Sequence, residues 1–116
     1  MVIGVAGPYT AETEEKQKSN LDAMNIAAAK LLEMGHIPLI GMNAALPVIG
    51  LVNVSDKYKA TMDISLAVID SCEGILMIGE SPGASKERDL ILSKGLPVYY
   101  KIEDIPMASK STMPSK

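Results

Sequence analysis

The stretch Ser81-Pro82-Gly83-Ala84-Ser85-Lys86-Glu87 places a hydroxyl, a glycine backbone and a carboxylate within two helical turns. It follows a short apolar run, Gly74-Ile75-Leu76-Met77-Ile78-Gly79, and opens a helix expected over roughly residues 84–94 that stops at Gly95. Gly83 has no β-carbon, so a phosphate or a sugar can approach its backbone closely. Free amides at a helix start favour an anion. Glu87 then sets a carboxylate beside that anion site, where phosphate binding alone has no use for one. A cradle holding a carboxylate points to chemistry as well as binding. The plainer reading is a cap, with Ser81 at the helix start, Pro82 behind it and Glu87 a solvated acid pairing with Lys86 or Arg88. That reading leaves Gly83 without a role.

Two further acids lie in one predicted helix, over about residues 56–71. Asp63 and Asp70 are seven residues apart, which puts them on one face about 10 Å apart along the axis. Met62, Ile64, Leu66, Ala67, Val68 and Ile69 surround them, and a carboxylate among apolar groups is costly unless it is paired or near an opening. Asp70, in the last turn, can reach solvent and reads as structural. Asp63 is mid-helix and is a candidate site residue, its alternative being a surface or capping partner. Tyr9 is a third candidate, in the loop Gly7-Pro8-Tyr9; the alternative is a loop-capping aromatic.

The elements that must position these groups alternate between strand and helix. Residues 1–6 are apolar and β-branched and predict a buried first strand, ended by Pro8. A helix follows, with Glu12, Glu14 and Glu15 near its start, as its dipole prefers. Leu21, Met24, Ala28, Leu31 and Leu32 form its apolar stripe, and Gly35 stops it. Ile37-Pro38-Leu39-Ile40 predicts a second strand, which Pro38 pushes to a sheet edge or strand start. Val98-Tyr99-Tyr100-Lys101 predicts a fourth. This pattern implies a single α/β domain over residues 1–107, a Rossmann-like or flavodoxin-like parallel sheet of four to five strands with helices on both faces. Residues 108–116 lack periodicity and read as a disordered tail. Ligands of such sheets bind outside the carboxyl ends of the strands. Gly7-Pro8-Tyr9 and the Ser81–Glu87 stretch both fall at such ends, which predicts one shared site.

Composition narrows the classes. The chain has 116 residues, 47% of them apolar, with no Phe or Trp and only four tyrosines, so Ile, Leu, Val, Met and Ala must fill the core. The net charge is −3 and no Lys/Arg cluster stands out, which argues against a nucleic-acid surface. The one cysteine, Cys72, excludes an internal disulfide, reads as a buried inert thiol and fits a reducing cytoplasm. His36 reads as a loop or strand-edge residue, and one Cys with one His makes no metal site. No cofactor is expected. The start of the sequence lacks the pattern of a signal peptide, and nothing predicts a membrane span. Residues 41–55 carry no charge but many apolar groups. They read as a packed loop or short helix, a subunit interface, or an apolar lid over a bound base. If exposed, they favour a homodimer or larger homo-oligomer.

In order and spacing, Gly-Pro-Tyr after the first strand, an Asp in the helix before the third, and Ser-x-Gly-x-x-x-Glu after it resemble the nucleoside 2-deoxyribosyltransferase-like superfamily. That superfamily includes the deoxyribosyltransferases, the deoxynucleoside-monophosphate N-glycosidases and small relatives of similar length. Lys94-Gly95-Leu96-Pro97-Val98-Tyr99-Tyr100 and Ile102-Glu103-Asp104-Ile105-Pro106 extend the likeness nearly to the chain end. The resemblance implies that Glu87 is a nucleophile attacking the anomeric carbon of a deoxyribose. It implies that Asp63 contacts the sugar or assists the leaving base, and that Tyr9 holds nucleophile and sugar. Ser81 and Gly83 would line the 5′ end of the sugar, with Gly7 and Pro8 also in the binding set.

N-glycosidic cleavage passes through an oxocarbenium-like state that a carboxylate stabilises or captures, and a retaining mechanism sets two carboxyl groups about 5 Å apart. A buried aspartate of raised pKa could protonate the base, while Lys86 could keep Glu87 ionised. The chain is shorter than the authentic transferases, and its tail offers no asparagine to reach a neighbouring subunit's nucleophile. The function expected is cleavage or transfer at the N-glycosidic bond of a 2-deoxynucleoside or its 5′-monophosphate. The alternative is a nucleotide-binding or sensing module without turnover. A phosphoribohydrolase reading is weakened by the absence of a Gly-Gly pair, and a purely structural flavodoxin-like domain is the remaining possibility.

Overall fold

A computed structural model of the chain describes residues 1–108. The expected tail therefore lies, all but Ala108, outside the described residues. The elements in order are β1 (Val2–Ala6), α1 (Glu14–Glu33), β2 (Ile37–Leu39), α2 (Gly41–Ile49), α3 (Lys57–Asp70), β3 (Gly74–Met77), α4 (Pro82–Ser93) and β4 (Val98–Tyr99), followed by a short 3₁₀ turn at Ile102–Asp104. The four strands form one all-parallel sheet in the order β2-β1-β3-β4. β2 is an edge strand, the position Pro38 tolerates, since its missing N–H then costs no ladder bond.

Alternation along the strands sorts the core into two layers. Ile3, Val5 and Leu76 face Met24 and Leu31 of α1, with Ile40 and Ile105 completing that layer. Ala6, Ile75 and Met77 face Ile69 of α3, Cys72, and Ala84 and Ile91 of α4. One helix thus covers one face of the sheet and two cover the other. All these side chains are nearly inaccessible, and their burial is the main force holding the helices to the sheet. Cys72 sits in this core, and burial pushes its thiol pKa up.

The helix ends follow local rules. Thr13, Asp56 and Ser81 cap α1, α3 and α4 by accepting the amides of Lys16, Lys59 and Ala84. Gly35 and Gly95 hold φ of +92° and +73°, and each ends a helix with paired reverse bonds. In the first, Gly35 N–H bonds the Leu32 carbonyl and His36 N–H that of Leu31; Gly95 and Leu96 repeat the pattern on Leu92 and Ile91. Only glycine takes that backbone without strain. His36 lies in the loop that enters the edge strand β2 and is buried there: its Nδ1 accepts from the Met1 amine at 3.0 Å and its Nε2 donates to the Pro106 carbonyl at 2.7 Å.

The uncharged segment resolves into α2 and a following loop. α2 packs on α3 with Gly41 and Ala45 buried, while Val48, Leu51 and Val54 are exposed. No helix among the described residues is long and apolar enough to cross a membrane.

Candidate functional site

The strand order dictates where a site can form. From β1 the chain crosses through α1 to β2 on one side, then through α2 and α3 to β3 on the other. The crossovers diverge at the carboxyl ends of β1 and β3, which leaves a crevice between the two loops that leave those strands. A cavity of about 580 Å³ lies there, within the range of small-molecule sites.

Its walls come from two loops and three helices. Gly7, Pro8, Tyr9 and Thr10 follow β1; Ser81, Pro82 and Gly83 follow β3. Met42, Leu46 and Ile49 come from α2 at i, i+4 and i+7, one helical stripe turned to the cavity. Tyr58, Thr61 and Met62 of α3 and Ala84 and Glu87 of α4 complete it. α1 pins the first loop, because Asn20 Nδ2 donates to the Tyr9 carbonyl and Gln17 Nε2 to that of Ala11, each at 3.1 Å. A second, shallower hollow of about 400 Å³ lies between α1 and Tyr100 and Ile102. Among the described residues, its charged lining residue is Lys30 and no carboxylate lines it.

Glu87 lines the 580 Å³ cavity yet is only 7% exposed. Its carboxylate accepts a short hydrogen bond from the Ser65 hydroxyl of α3. Burial pushes the Glu87 pKa up, and the Ser65 bond, which favours the charged form, acts in the opposite direction without cancelling it. Lys86 has no part in this balance. Its ammonium reaches the other way, over the Tyr58 ring at 4.9 Å from the centroid and 3.4 Å from the hydroxyl. The expected help of Lys86 in keeping Glu87 ionised is therefore replaced by Ser65.

The structure brings Gly7, Pro8, Tyr9, Ser81, Gly83 and Glu87 to one cavity and leaves Asp63 out. The Asp63 side chain is 62% exposed and pairs with Lys59 Nζ one turn back, at 2.8 Å. Helical phase is the reason: Met62, Ser65 and Ile69 form the buried stripe of α3, and Asp63 lies about 100° around from Met62. Asp70 is likewise at the surface, paired with Lys94 at 3.1 Å. Tyr9 lines the cavity, but the side chain that bonds Glu87 is that of Ser65.

Ser65 carried one sequence signal, a lone hydroxyl at the i+3 and i−4 positions of an apolar stripe. It is completely enclosed, and Gly41 at the start of α2 presses on it; a β-carbon at Gly41 would lie 1.9 Å from its Oγ. Gly83 also has a packing role, since its β-carbon would meet the Met62 sulfur at 3.2 Å. Among the described residues no cluster of His, Cys, Asp or Glu could hold a metal.

Fold and site together define a small doubly wound α/β domain with a carboxylate-bearing cavity at its switch point. The chain belongs to the family described as Domain of unknown function (DUF4406), whose model matches residues 1–100. The match spans both cavity loops and every strand. A comparison with curated proteins finds no match.

Proposed function

We propose that this protein cleaves or transfers at the N-glycosidic bond of a 2-deoxynucleoside or its 5′-monophosphate, with Glu87 as the nucleophile. The observation that carries the reading is a single buried carboxylate, held by a hydroxyl, lining a cavity with the Gly7-Pro8-Tyr9 loop. The likeness of these residues in order and spacing to the nucleoside 2-deoxyribosyltransferase-like superfamily supports the same reading.

In the proposed step a Glu87 oxygen forms a bond to the anomeric carbon as the carbon–nitrogen bond breaks, and the electron pair leaves with the base. No second carboxylate lines the cavity among the described residues, so the departing base takes its proton from water. Water then opens the glycosyl ester, or a second base does, which regenerates the carboxylate. Ser65 fixes the carboxylate's rotamer, so that it need not be ordered during the reaction. The apolar stripe of α2 with Met62 walls the side where a base would lie, and Tyr9 and Ser81 offer hydroxyls to the sugar.

The test is release of free base from 2′-deoxynucleosides and their monophosphates, followed by chromatography. Wild type releases base, and Glu87→Ala lowers the rate by at least about a thousandfold. No release from any common substrate by folded protein overturns the proposal.

A second reading is a binding module without turnover. The absence of Asp63 from the cavity favours it, since a binding site needs no general acid. It predicts ligand-induced thermal stabilisation with no base released. Exposed Val48, Leu51 and Val54 support a homo-oligomer that covers this segment, which light scattering would detect. The single buried Cys72 is in keeping with a reducing cytoplasm.

A further inference from the structure

We infer that the cavity selects an uncharged nucleoside over its 5′-monophosphate, an inference that rests on the N-glycosidic reading above. A phosphate dianion in a partly enclosed site is held by lysine or arginine, or by several convergent backbone amides.

Among the described residues, no lysine or arginine lines this cavity. Lys57, next to Tyr58 in sequence, is exposed and does not line it, and the other neighbouring cations have partners. Lys86 lies against Tyr58, Lys59 against Asp63, and Arg88 against Glu80 and Asp89 at 3.4 and 3.0 Å. Among the described residues the one carboxylate that lines it is that of Glu87, whose ionised form repels a second anion.

The start of α4 is largely spent as well. Pro82 has no N–H to offer. The Ala84 amide donates to Ser81 Oγ at 3.1 Å, and the Ser85 amide to the Ser81 carbonyl at 2.8 Å. Gly83 is the first-turn amide left for a ligand, and one amide makes a hydrogen bond to a hydroxyl as readily as to a phosphate. Ser81, engaged as an acceptor by Ala84, still has its own proton to donate. This end of the cavity is therefore built for a neutral oxygen such as a sugar hydroxyl.

Apolar groups complete the match. Met42, Leu46, Ile49 and Met62 contribute no charge and no strong hydrogen-bonding group, a surface that a flat heterocycle can cover at no desolvation cost to the protein.

The test compares 2′-deoxynucleosides with their 5′-monophosphates, in binding by calorimetry and in kcat/KM for base release. Wild type prefers the nucleoside by about tenfold or more. In Glu87→Gln, used for binding only, the gap narrows because one of the two repelling charges is gone. Thr61→Lys, which sets a cation on the cavity wall, raises monophosphate affinity relative to nucleoside affinity and so narrows or reverses the gap. Equal or tighter binding of the monophosphate by wild type overturns this inference and leaves the N-glycosidic reading standing. Nucleoside binding without base release upholds the selectivity and removes the catalytic reading. Binding of neither ligand overturns both.

Discussion

The hydroxyl of Ser65, on α3, donates to the buried carboxylate of Glu87, on α4, and this bond joins the two helices beside the cavity. Without it the carboxylate is enclosed with no partner, a costly state for a charged group. Ser65→Ala removes the one influence that favours ionised Glu87, so its pKa rises further. The expected outcome is an acid limb of the kcat/KM–pH profile displaced to higher pH. An unmoved limb in Ser65→Ala would separate Ser65 from the carboxylate's titration.

Stability carries the same titration with a definite sign. The folded-state pKa of Glu87 is raised above the unfolded value, so between the two the folded state binds more protons. Its contribution is intact below the unfolded pKa and is lost as pH rises through the folded one. Wild type should therefore lose stability relative to Glu87→Gln as pH rises out of the acid range, and the difference should level off once Glu87 is ionised. Paired denaturation curves across pH measure this, and parallel curves would contradict it.

Gly41 packs so close to Ser65 that no β-carbon fits. Gly41→Ala should cost about 1–3 kcal/mol by overpacking and weaken activity by displacing Ser65. Gly50, at the end of α2 with negative φ and open space where a β-carbon would stand, is the control. Gly50→Ala should be neutral or slightly stabilising. Equal effects in urea denaturation would show that the Gly41 contact is not a constraint.

How much of this was legible in the chain differs between backbone and side chains. Glycine-bounded apolar runs such as Gly74–Gly79, and stop signals such as Gly35 and Gly95, announce the strands and helix ends because local sterics set them. Pro38 announces an edge strand for the same reason. The topological rule for parallel sheets then brings Tyr9 and Glu87 to one crevice although 78 positions separate them. The phase of α3 was not legible. Asp63 and Ser65 are two residues apart on a helix apolar on most sides, and only the packing against Gly41 and α4 decides which one turns inward. α2 was also ambiguous, since Pro47 lies inside it and an uncharged run suits a loop, a helix or an interface equally.

That phase makes Asp63 a sharp control. It is exposed and tied to Lys59, and exposed pairs of this spacing contribute little. Asp63→Asn should leave both kcat/KM and thermal stability essentially unchanged. A large loss of base release would return Asp63 to the chemistry and require α3 to rotate on binding substrate.

The central claim is that Glu87 carries the sugar during the reaction. Acid quenching during turnover of a 2′-deoxynucleoside, followed by intact mass measurement and peptide mapping, reads this directly. The account predicts a mass gain of one deoxyribosyl group on the peptide containing Glu87, absent from Glu87→Ala. Base release with Glu87 unmodified throughout, or with the sugar attached to another residue, would contradict it.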